Sequence, residues 1–262
     1  MERRTFLQSS LTAGGLVAMP VLANTADAAT EKGGREFFEL RTYALKPDKQ
    51  AILDRYFSAS LIPALNRLGI KQVGAFYERP VPSSPIAHLL IPYQSLEQMA
   101  TINASLAVAP EYLRSASDYL AIPATDPVYD RIESSLLSAF ETMPKLETPA
   151  KRASLYNLRI YESHNEAASK KKIEMFNKGE IEIFRRTGLT PVLFGEAILG
   201  TRIPNLTYLL AFDDEAARVE AWNKFRSDPE WFKLKSIPEY EDKRIVSKIT
   251  NKLLTPAEYS QI

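Results

Sequence analysis

Phe38-Glu39-Leu40-Arg41-Thr42-Tyr43 and Tyr156-Asn157-Leu158-Arg159-Ile160-Tyr161 are two copies of one strand pattern, with an aromatic, a leucine, an arginine and a tyrosine in register. A long-period repeat decides the architecture before any single element is assigned, because each copy must be one supersecondary unit. The match continues outward at a spacing of 117 to 120 residues. Leu68-Gly69-Ile70 answers Thr187-Gly188-Leu189, His88-Leu89-Leu90 answers Tyr208-Leu209-Leu210, and Pro110-Glu111-Tyr112 answers Pro229-Glu230-Trp231. Between the copies runs Glu141-Thr142-Met143-Pro144-Lys145-Leu146-Glu147-Thr148-Pro149, a polar stretch with two prolines that reads as a linker. The expected division is a leader over 1–28, a first unit over 36–140, a linker over 141–153 and a second unit over 154–255.

Each unit reads as strand, helix, strand, strand, helix, strand. Alternation over Phe37 to Ala44 puts Phe38, Leu40 and Thr42 on one face and Glu39, Arg41 and Tyr43 on the other. Ile173, Phe176, Glu180, Ile181 and Phe184 then recur at helical spacing before Gly188, as Ile52, Leu53, Tyr56, Phe57 and Leu65 do before Gly69, with a kink expected at Pro63. Strands follow over 72–78 and 87–93, or 192–197 and 206–212, and the last ones over 129–137 and 244–253. Trp222, Trp231, Phe225 and Tyr112 fall at helical spacing and read as core, and Asp228-Pro229-Glu230 reads as a cap and first turn. This order is the ferredoxin-like plait, a four-stranded antiparallel sheet with helices on one face. The predicted fold class is therefore α+β: two tandem ferredoxin-like (βαββαβ) units packed sheet face to sheet face, an α/β barrel of the dimeric kind formed within one chain.

Composition bounds the function. The 262 residues are 45% hydrophobic and 25% charged with a formal net charge of +1, which is ordinary globular material with no basic field for nucleic acid. Cysteine is absent, removing disulfides, thiolate nucleophiles and cysteine-ligated clusters, and two histidines cannot build a zinc site of several imidazoles. Neither a phosphate-cradling glycine loop, a G-x-S-x-G elbow nor an H-E-x-x-H pair occurs. Arg3-Arg4-Thr5-Phe6-Leu7, the mildly apolar stretch from Leu11 to Leu22 and Ala26-Asp27-Ala28 read as a twin-arginine signal peptide cleaved after Ala28. The expectation is a periplasmic or secreted protein, handled by the twin-arginine export machinery and not inserted in the membrane after processing.

The paired openings, with the later Pro-Glu-aromatic segment in each copy, resemble NIPSNAP domains of the dimeric α/β-barrel superfamily, over residues 36–140 and 154–255. The second copy departs at Asn157, where the first has Glu39. The resemblance implies relatives that include small oxygenases, haem-degrading enzymes and plain binding proteins, and it carries over no catalytic residues.

The residues themselves supply the candidates. Arg41, Tyr43, Arg159 and Tyr161 share the strand face opposite the one assigned to the helices, so they are expected to point into the barrel and hold a small apolar or anionic ligand. The alternative is that Arg41 pairs with Glu39 or Glu78, and Arg159 with Glu196, to neutralise charge. His88, answered by Tyr208 in the second copy, is the candidate for catalysis, as a general base or an axial haem ligand. Two functions follow: a small-molecule binding module using the barrel cavity, or a monooxygenase-type enzyme that is cofactor-independent or haem-dependent. A homo-oligomer of this chain is a further expected partner.

Overall fold

In the computed structural model, which describes residues 34–80 and 83–262, the first pattern forms β1 (Phe37–Leu45) and its repeat forms β5 (Leu155–Glu162). The signal-peptide reading of 1–28 lies outside the described residues. The first half continues through α1 (Gln50–Tyr56), α2 (Ile62–Arg67), β2 (Gly74–Arg79), β3 (Ile86–Tyr93), α3 (Leu96–Ala107), α4 (Pro110–Ser115), α5 (Ser117–Leu120) and β4 (Tyr129–Ala139). The second runs through α6 (Glu166–Met175), α7 (Ile181–Thr187), β6 (Thr190–Leu199), β7 (Asn205–Phe212), α8 (Glu215–Ser227), α9 (Pro229–Lys235), α10 (Asp242–Ile245) and β8 (Lys248–Pro256). The final strand starts later than expected because Asp242–Ile245 closes a helical turn, with the Val246 amide donating to the Asp242 carbonyl. Among the described residues no helix is long and apolar enough to cross a membrane.

The strand order is β1-β3-β2-β8-β5-β7-β6-β4, closed on itself and antiparallel throughout. Each half has the ferredoxin-like order, and the α+β class with two tandem units stands. The halves also join at their edges, β2 to β8 and β4 to β6, so that each of these eight strands has a paired neighbour on both sides.

The helix break expected at Pro63 is a π turn over Phe57–Leu61, in which the Ile62 amide reaches the Phe57 carbonyl. The second half makes the same turn at Phe176–Glu180, where Glu182 stands in the proline's place, so proline is not its cause. The wider turn seats Phe57 and Phe176, both fully buried, over their sheets.

Three cores result. Two lie between helices and sheet, one around Leu53, Phe57, Leu89 and Ile91, the other around Phe176, Phe184, Tyr208, Trp222 and Trp231. The third fills the barrel with Phe38, Phe76, Leu90, Tyr156, Leu158 and Leu209. By register Phe76 lies opposite His88 as Gly195 lies opposite Thr207, so a large residue in one half corresponds to glycine in the other. A Cβ on Gly195 would stand 2.7 Å from Leu137 Cβ, which is why that position takes glycine. Among the described residues the space left in the middle is about 10 Å³, a single water's worth, so the barrel there is a packed interior too small for a ligand.

Candidate functional site

The arginines lie on the other side of the sheet from the one expected. Phe38, Leu40 and Thr42 line the barrel, while Tyr43 belongs to the helix-side core with Leu89 and Ile91. Glu39 and Arg41, between them in the alternation, share Tyr43's side under the helices, and Asn157, Arg159 and Tyr161 do so in the second half. The apolar stripe went to the barrel because a narrow eight-stranded interior is filled by side chains and excludes water from both ends of a charge. A helix-covered flank leaves a guanidinium partly wet: the Arg41 side chain keeps 19% of its exposure.

Arg41 is consumed there. Its Nε and Nη2 donate to the two Glu39 oxygens at 2.6 and 2.9 Å, and Tyr93 and Ser134 hydroxyls add donations to the same carboxylate at 2.8 Å each. Burial pushes the Glu39 carboxyl up, yet Arg41 beside it holds it below the usual range. Tyr43 packs edge-on to Phe57 at 5.3 Å and to Tyr129 at 5.8 Å within the helix-side core. Arg159 has no such carboxylate, and its expected partner Glu196 is bonded to Lys170 instead. It donates from Nη2 to the Tyr161 hydroxyl at 3.1 Å and lies over the Trp222 ring at 4.8 Å.

His88 points into the barrel near its polar mouth. Its partner in the second half is Thr207 and not Tyr208, since Thr42 faces His88 as Ile160 faces Thr207. Nε2 lies 2.8 Å from Glu78 Oε1 and Nδ1 lies 3.0 Å from Thr42 Oγ1. A carboxylate only accepts, so the neutral ring carries its proton on Nε2, and Nδ1 accepts from the Thr42 hydroxyl. Lys252 also donates to Glu78, completing a Thr42–His88–Glu78–Lys252 chain beside a polar recess of about 60 Å³. With both ring nitrogens engaged, His88 does not fit an axial haem ligand.

Burial pushes the His88 pKa down, although Glu78 pulls the other way. The unfolded chain protonates this ring as the pH falls through about 6.5, and the folded chain resists. The unfolded state then binds more protons, so stability falls below that pH, by up to about 1.4 kcal/mol per pH unit. Glu39 and Glu78, both held low, act in the same sense further down, their contribution being lost as the pH falls through their folded values. Urea midpoints followed between about pH 8 and pH 5 should decline from near pH 6.5 in the wild type and less steeply in His88→Gln; parallel curves would disprove the assignment.

A cleft of about 480 Å³ opens on the outside of the β2–β8 seam, where the halves join. Tyr77 and Tyr259 both donate to Asp54 Oδ1, at 2.6 and 2.5 Å, and Ile86, Pro256 and Ala257 supply apolar wall. Burial, and then Asp54, pushes both phenols up, so each remains a donor. Glu78 also lines this cleft, which puts the His88 chain one bond behind its wall. None of Asp54, Tyr77 and Tyr259 was singled out from the sequence, for Tyr259 follows the last expected strand and lies 205 residues from Asp54.

Fold and site together define a tandem ferredoxin-like α/β-barrel protein with a filled barrel and a ligand-sized seam. The chain belongs to the NIPSNAP family, whose profile matches residues 38–140 and 156–261. No curated protein matches it. Among solved structures, a candidate monooxygenase from Fusobacterium nucleatum superposes with a TM-score of 0.57 at 9% identity, over 85% of this chain and 93% of that one. A second, from Lactobacillus acidophilus, gives 0.59 at 10% identity, over 85% and 94%. An uncharacterized NIPSNAP-like domain protein from Burkholderia xenovorans covers 42% of this chain with 90% of its own length, at 18% identity and a TM-score of 0.37. At such identities the likeness is one of fold.

Proposed function

We propose that this is an exported binding module whose seam cleft holds a small, mainly apolar molecule carrying a hydrogen-bond donor. The observation that carries the reading is Asp54, fixed by two phenols in a cleft of about 480 Å³, within the range of small-molecule sites. With Glu78 paired to Lys252, Asp54 and Glu258 still outnumber Arg79 among the lining residues, which favours a neutral or cationic ligand over an anionic one. Phenethylamine, an aromatic body bearing an ammonium, is the probe. Titration calorimetry should give saturable binding to the wild type and roughly tenfold weaker binding to Asp54→Asn, the loss of one charge-assisted hydrogen bond. Gln50→Trp, which fills the cleft from α1, should also lose it, and equal binding by all three proteins would refute the site.

A second reading rests on Glu78, which is among the residues lining the cleft while its carboxylate is bonded to His88 and Lys252, so the imidazole chain lies directly behind the cleft wall. The monooxygenase names of two proteins sharing the fold are compatible with it. His88→Gln separates the readings: turnover lost with binding retained supports an enzyme. Export is tested at the leader, where Arg3→Lys with Arg4→Lys should leave unprocessed protein in the cytoplasm; normal processing would remove the twin-arginine assignment.

A further inference from the structure

We infer that Arg159 is the centre of a second binding site, for the carboxylate of a small organic acid, beneath α8 and independent of the seam cleft. The internal repeat supplies the comparison. In the first half the strand-borne arginine meets an acceptor-rich setting, where Glu39 takes four donations, from Arg41 Nε, Arg41 Nη2, Tyr93 and Ser134. Register places Asn157 for Glu39, Phe212 for Tyr93 and Asn251 for Ser134 in the second half. The carboxylate is gone, and the arginine remains.

Several donors around the arginine are left unpaired. Asn157 donates its amide N–H groups to Asn251 Oδ1 at 2.6 Å and to the Lys252 carbonyl at 3.1 Å, and its own Oδ1 is enclosed without a partner among the described residues, so it does not serve Arg159. Arg159 Nε is enclosed with no acceptor among the described residues. Trp222 Nε1 is likewise enclosed and without a partner, on a side chain only 8% exposed whose ring lies 4.8 Å from the guanidinium carbon. The Tyr161 and Tyr208 hydroxyls stand 3.0 Å apart, and Tyr161 already accepts from Arg159, so whichever phenol donates to the other, one phenolic proton is left over. Guanidinium, indole and phenol, linked through the Arg159 contacts, thus each carry a proton with no acceptor among the described residues.

Charge points the same way. Arg218 on α8 is near enough for its charge and that of Arg159 to repel, and its own carboxylate, Glu215, is taken up in a two-pronged pair at 2.6 and 2.8 Å. Glu180, the other acid within reach of Arg159's field, is bound to Lys172 at 3.1 Å. A buried donor without an acceptor is destabilising, and an external carboxylate would meet more than one through the fork that Glu39 fills in the first half. Arg159 is only partly buried, which leaves a route to it from solvent.

The indole proton of Trp222 reports the site directly. The chain has two tryptophans, so the two indole resonances are assigned with Trp231→Phe. Sodium acetate should move the Trp222 indole signal downfield in a saturable way, and sodium chloride at equal ionic strength should not. Arg159→Gln should lose the response. In Asn157→Glu, where a tethered carboxylate reaches the Arg159 fork, the signal should start near its shifted position and no longer respond. The absence of an acetate response in the wild type, an equal response to chloride, or a response that survives Arg159→Gln would each overturn the site; water would then be the missing acceptor. Phenethylamine binding at the seam is expected to be unchanged in Arg159→Gln, so failure here and failure of the seam reading are separately visible.

Discussion

Glu180→Leu alone should destabilise the protein by about 3–5 kcal/mol, whereas Glu180→Leu with Lys172→Leu should be neutral or more stable than the wild type by about 1–4 kcal/mol. Lys172 and Glu180 form an ion pair at 3.1 Å with side-chain exposures of 2% and 3%. Removing the carboxylate strands an ammonium among the rings of Phe176, Tyr161 and Trp231, with only Asp242 at 3.7 Å still opposing it. Burial pushes the Glu180 carboxyl up against the pull of Lys172, and this is the desolvation cost the pair has to offset. The first half shows the hydrocarbon solution. On the shared π-turn register Leu53 stands for Lys172 and Leu61 for Glu180, both buried in an otherwise equivalent helix. Urea unfolding of the two variants measures both numbers, and a double variant as unstable as the single one would show that the pair is tied into a wider network.

Glu39→Gln should cost a similar amount, about 3–5 kcal/mol, for the converse reason. The amide keeps one acceptor oxygen where the carboxylate offers two, and Arg41 is left charged with no counter-ion among its bonded partners. The variant should also lose part of the acid-side decline, because the Glu39 contribution is present above about pH 4.3 and disappears as the pH falls through its lowered value. Equilibrium unfolding at neutral and acid pH tests both statements. A loss under about 1 kcal/mol would mean that Tyr93, Ser134 and solvent satisfy Arg41 without the charge.

Each half therefore buries an ion pair that the other lacks, Glu39–Arg41 in the first and Lys172–Glu180 in the second. The repeated strand pattern announced the shared scaffold and, through Asn157, the first of these differences. The second was hidden: Lys172 stands in the run Lys170 to Lys172, which reads as a solvated flank, yet the neighbouring Lys170 reaches out to Glu196 while Lys172 turns inward to Glu180.

The duplication, the α+β class and the two faces of each strand were determined by the sequence itself, because period-2 alternation and a long repeat are properties of the chain before it folds. Which face looks into the barrel was decided only by tertiary structure. In a closed sheet roofed by helices both faces are buried, so polarity no longer marks the inside; pairing of β2 with β8 and β4 with β6 fixes it. Pairing also corrected the second-half partner of His88 from Tyr208 to Thr207, since a one-residue slip turns every side chain to the opposite face. The seam cleft belongs to the same category. Asp54, Tyr77 and Tyr259 share no periodicity, and they meet because two sheet edges from different halves of the chain close on each other.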